Sequence, residues 1–67
     1  MDGVESGDLA ELSSISTTLD DLLRRIDAMS ERYEGTPRED FAMRLRDVER
    51  GLGSTVRRVE ALLRTSR

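Results

Sequence analysis

The residues that could do chemistry are few. The chain contains no Cys, no His and no Trp, and its 11 basic residues are all Arg, so Lys is absent as well. Without Cys there is no disulfide or thiol chemistry, and without Cys or His the sequence offers no transition-metal ligand set. Acid–base catalysis leans on His, and covalent catalysis on Cys, Lys or a base-activated Ser. Only carboxylates and unactivated hydroxyls remain. The expectation is a non-enzyme with no cofactor, no metal and no catalytic residues.

Each remaining cluster has a chemical reading and a simpler one. Gly51-Leu52-Gly53-Ser54-Thr55 has the look of a phosphate loop, but it lacks the P-loop lysine and follows no strand. Asp20 and Asp21, near Asp27, could be a cation site, yet neighbours on a helix point in different directions and do not converge on one ion. Arg50, Arg57 and Arg64 recur every seven residues, with Arg58 and Arg67 close by. They form a candidate partner surface, since guanidinium groups bind carboxylates and phosphates in a bidentate manner. The simpler reading is a solvated helix face whose cations suit a helix C-terminus. Met43 and Tyr33 are candidate exposed contacts, with Tyr33 read as a bundle-end residue. The Ser/Thr run over 13–18 carries no specific modification signal.

Two helices must position these groups. Leu12, Leu19, Ile26 and Tyr33 form one row at a spacing of seven, the a positions of a heptad. Ile15, Leu22 and Met29 form the d row, and Leu9 and Leu23 widen the stripe at e. In the second half Leu45, Leu52 and Val59 take a, Phe41, Val48, Thr55 and Leu62 take d, and Ala42, Val56 and Leu63 take e, where Glu49 interrupts. The break is marked by Gly35, suited to the left-handed C′ position, and by Thr36-Pro37-Arg38-Glu39, which reads as a capping box with Pro at N1. Asp8 with Glu11 reads as a cap for the first helix. Four i,i+4 pairs support the helices: Asp20–Arg24, Asp21–Arg25, Asp40–Arg44 and Glu60–Arg64.

The predicted architecture is all-α. A flexible N-terminus spans 1–7, then helix 8–34, a turn at 35–36 and helix 37–65, forming an antiparallel, coiled-coil-like hairpin over 8–67. A hairpin turning near 35 pairs residues whose numbers add to about 71, setting Ser16 beside Thr55 as a polar layer. Gly51 and Gly53 inside the second helix mark a place where it could kink. The net charge of −3 divides into −6 over residues 1–35 and +3 over 36–67, which suits helices lying side by side.

Sixty-seven residues are few for a self-sufficient core, and two helices cover only part of each other's wide stripe. Dimerisation into a four-helix bundle buries the remainder. The expected interface is Leu9, Leu12, Ile15, Leu19, Leu22, Leu23, Ile26, Phe41, Leu45, Val48, Leu52, Val56, Val59, Leu62 and Leu63, with Leu9, Leu23, Val56 and Leu63 as the surplus left wet in a monomer. No apolar run reaches the length of a membrane span, so a cytoplasmic protein without membrane contact is expected.

The segment from Arg38 to Arg50, with its Glu39-Asp40-Phe41-Ala42 start, its Val48-Glu49-Arg50 centre and the later Arg57-Arg58 pair, resembles small uncharacterised helical-hairpin proteins of actinobacteria. The resemblance spans about residues 9–64 and implies a hairpin fold and an actinobacterial source, with no activity attached. The leading function is therefore protein–protein association, most simply with a second copy. A nucleic-acid-associated regulator using Arg50, Arg57 and Arg64, disfavoured by the net negative charge, and a helical subunit or adaptor of a hetero-complex are the alternatives.

Overall fold

The computed structural model describes residues 3–66, and they form two helices packed against each other. Helix α1 runs Ser6–Tyr33 and helix α2 runs Glu39–Thr65. The result is a rod of 52 × 15 × 11 Å, and among the described residues there is no strand. The all-α antiparallel hairpin is as the heptads predict. Of the N-terminal segment expected to be flexible, residues 1–2 lie outside the described residues, while Ser6 and Gly7 already belong to α1.

Both helix starts differ from the expected ones. The N-cap of α1 is Glu5, whose carbonyl accepts from the amides of Asp8 and Leu9, and no side chain caps this end. Asp8 therefore sits inside the first turn, where its charge suits the helix dipole, and does not act as the cap. Helix α2 starts at Glu39, not at 37. Thr36 explains the delay. Its hydroxyl donates to the Tyr33 carbonyl at 2.6 Å and accepts from the Arg38 amide at 3.2 Å, so it clasps the end of α1 to the start of α2. Its own amide bonds Tyr33 O, so the reciprocal half of the capping box is absent. Gly35 has φ +74°, the left-handed geometry that ends α1 and that a Cβ would strain.

The register also differs. Tyr33 meets Phe41, Arg46 reaches Asp27, and Leu23 lies beside Gly53, so facing residues add to about 73–76. This is up to about one helical turn from the expected pairing. It moves Ser16 to the neighbourhood of Glu60 and Leu63, while Thr55 is exposed and donates to Gly51 O. The expected Ser16–Thr55 layer does not form. Helix α2 runs unbroken through Gly51 and Gly53.

The largest change concerns the seam. Val56 and Leu63, expected to stay wet, are buried inside the hairpin with Ala42, which is 2% exposed. Ser30, also at e, is fully buried and donates to Ile26 O at 3.1 Å, so its hydroxyl is satisfied within its own helix. The helices close on a and e, with a half-buried, and not on a and d. The small side chains of Ser16, Ser30 and Ala42 at e let the backbones approach more closely than the bulky d row would.

Candidate functional site

Closing on a and e fixes what the other rows face. In an antiparallel pair packed through equivalent stripes, equivalent rows share a flank, so one flank of the rod carries the b positions of both helices and the other carries both d rows. The ion pairs between b residues Asp27 and Arg46, and between Glu34 and Arg46, mark the first flank. A groove of about 230 Å³ lined by Leu22, Arg25, Ile26, Met29 and Leu52 marks the second.

The d flank is apolar and open. Ile15 is 44% exposed, Val48 54%, and Leu22 and Leu62 are exposed with them, while Met29 and Phe41 are half-buried. All of these but Met29 belong to the interface expected from the heptads. Of that set, Val56 and Leu63 lie instead in the hairpin's own core, and Leu9, Leu12, Leu19, Leu23, Ile26, Leu45, Leu52 and Val59 are half-buried along the seam. At the turn end Tyr33 packs edge-on against Phe41, with ring centroids 5.1 Å apart, and the Arg38 guanidinium lies over the Phe41 ring at 5.9 Å. Tyr33 thus sits at the turn end of the hairpin. Met43, at f, is the most exposed of the large apolar residues but stands away from the d flank.

The b flank is organised by Arg46. Its guanidinium donates to Asp27 at 2.5 Å, to Glu49 at 2.8 Å and to Glu34 at 3.0 Å. One cation thereby ties α2 to α1 and to the residue that ends it. The Arg46 guanidinium holds the Asp27 carboxyl below its usual range, with the neighbouring Glu49 side chain acting in the same direction. Arg46 is in turn pushed up by its three carboxylates, Asp27 first, and stays charged throughout. Arg38 lowers Asp40 in the same way. Arg46 carried no signal in the a/d/e rows; what marks it is a register near 73, which sets it level with Asp27. Ser30 was likewise missed, although a small residue at e is what a close seam selects.

The arginine ridge is not continuous. Arg50 and Arg57 line a groove of about 390 Å³ with Arg46, Glu49, Leu23 and Gly53, whereas Arg64 lines a separate one with Ser13, Ser16, Thr17, Glu60 and Leu63. Arg50 is bonded to Asp47 at 3.0 Å. The carboxylates of Asp47 and Glu49 therefore stand among the cations, and the groove is not a clean anion receptor. The Gly51–Thr55 stretch is helical. Asp20 bonds Arg24, and Asp27 belongs to Arg46, so the three aspartates do not converge. Of the four expected i,i+4 pairs only Asp20–Arg24 forms among the described residues; Asp40 turns to Arg38 instead. Thr17 and Thr18 donate to the carbonyls of Ser13 and Ser14, which satisfies their hydroxyls within the helix. Arg67 lies outside the described residues. No helix among the described residues is long and apolar enough to cross a membrane. No family model, curated protein or solved structure matches the chain.

Proposed function

We propose that the chain is a non-enzymatic association module of the cytoplasm whose d flank pairs with a second copy to complete a four-helix bundle. One observation carries the reading: the exposed Ile15, Leu22, Val48 and Leu62 on one flank of a hairpin that keeps few apolar side chains out of water. The hairpin exposes 5074 Å², whereas a compact monomer of this mass exposes about 4300 Å². The excess follows from the rod shape, 52 × 15 × 11 Å, which leaves a long flank open to a partner.

Two substitutions at exposed apolar positions separate this reading from a monomeric hairpin. Val48→Asp lies on the d flank and Met43→Asp lies off it, while in the lone hairpin both are surface changes. Sedimentation at micromolar concentration is expected to give a dimer for the native chain and for Met43→Asp, and a monomer for Val48→Asp. A folded native monomer overturns the proposal. An aggregated lone chain that becomes soluble with a co-purifying protein would favour the hetero-complex instead.

A further inference from the structure

We infer that the second copy docks about a two-fold axis perpendicular to the helices and level with Leu22 and Leu52, so that α1 lies antiparallel on the partner's α1 and the two turns stand at opposite ends. This rests on the dimer reading above and adds the orientation, from the charges that rim the d flank. Beside the d row of α1, at g and c, stand Glu11, Asp21, Arg25 and Arg32, all exposed and without an ion pair among the described residues. Their signs reverse about residue 22: Glu11 mirrors Arg32, and Asp21 mirrors Arg25. A helix whose charge pattern inverts about its own midpoint is complementary to itself when antiparallel.

On the same rim of α2 stand exposed Asp40, Arg44, Asp47 and Arg58, and of these Asp47, which also holds Arg50, mirrors Arg58 about residues 52–53, while Asp40 and Arg44 mirror the uncharged Thr65 and Ala61. The α1 charges set the axis, and the hairpin brings this α2 pair level with it, because 22 and 52–53 add to the observed register of about 75. One axis therefore serves both helices. It passes beside the groove lined by Leu22, Arg25, Ile26, Met29 and Leu52, which the second copy then covers. The rim is completed by Glu11–Arg32, Asp21–Arg25 and Asp47–Arg58 pairs between copies, each occurring twice. An axis parallel to the helices would keep every residue at its own level and would set Arg32 between Asp40 and Arg44 of the other copy, and Glu11 opposite no cation of the same rim, so the α1 charges would find no matched partners.

Charge reversal tests the orientation, with dissociation constants read by sedimentation at low salt. Arg32→Glu and Glu11→Arg are each expected to weaken the dimer about tenfold, and the double variant to restore it. In the parallel-axis dimer those two positions are roughly 30 Å apart along the rod and would not compensate. Because the chain has no Cys, Glu39→Cys takes a single spin label on the outward flank. Antiparallel docking places the two labels about 45 Å apart, against about 30 Å with both turns at one end. A dimer with the shorter distance and no compensation overturns the orientation alone; a monomeric native chain overturns the dimer reading and this inference with it.

Discussion

At the scale of single residues, the hairpin depends on where side chains are small. Ser30 has no accessible surface and its hydroxyl is already bonded to Ile26 O, so removing the hydroxyl costs little while adding bulk separates the helices. Ser30→Ala is expected to change stability by under about 1 kcal/mol and Ser30→Leu to cost about 1–3 kcal/mol in urea titration. The glycines divide in the same way. Gly51 sits in the helix interior with open space where a Cβ would stand, so Gly51→Ala is expected to stabilise by about 0.5–1 kcal/mol. Gly35 at φ +74° has equally open space, but Gly35→Ala is expected to destabilise by about 1–2 kcal/mol, since there the backbone objects and not the neighbours. Thermal melting of the two variants at equal concentration should move in opposite directions.

At the scale of the helices, the Asp27–Arg46 tie between α1 and α2 and the local Arg38–Asp40 pair at the start of α2 set a pH dependence. The carboxyls of Asp27 and Asp40 titrate below their unfolded values in the folded chain. Their contribution is therefore fully present above about pH 5, and it is lost as pH falls past the ordinary aspartate value of about 3.9 and through the depressed folded one. Unfolding followed between pH 7 and pH 2 should show stability falling in that window. Arg46→Met should return Asp27 to an ordinary aspartate titration, read by carboxyl NMR, and leave Asp40 where it is. Helix existence, hairpin order and the turn at Gly35 were legible from a spacing of seven and one Gly-Thr-Pro break. The choice of seam was not, because a, d and e are all apolar enough to be core. Near the turn the small Ser30 and Ala42 at e are the most deeply buried residues, and the seam that runs through them has Val56 and Leu63 inside and Ile15 and Val48 outside. Leu19 and Leu52 stay on the seam by either reading, and changing both to Asp should abolish the helical circular dichroism.

At the scale of the whole molecule, a thin rod that carries on one flank four of the six exposed large apolar residues among the described residues would gain stability from covering that flank. If the d flank is covered by a second copy, unfolding and dissociation are one event, and the melting temperature rises with protein concentration. A melting temperature that does not move over a hundredfold dilution would tell against that coupling. The d flank is apolar with charges at its edge. The b flank is occupied by Arg46 and the carboxylates it holds, with Arg57 beside them.

The position of Arg46 has a further consequence, for the order in which the hairpin comes apart. Every ion pair that crosses between the helices among the described residues passes through Arg46, and these contacts, the Tyr33–Phe41 ring pair and the Thr36 clasp all lie in the half nearer the turn. In the far half Val56 and Leu63 form the buried part of the seam. The molecule is thus a zipper fastened at its closed end, with contacts that are local near the turn and increasingly distant in sequence away from it. Amide exchange in the monomeric Val48→Asp variant should follow that gradient. Protection should be highest around residues 26–34 and 42–49, fall along both helices in step, and be least in the first turns of α1 and the last turns of α2.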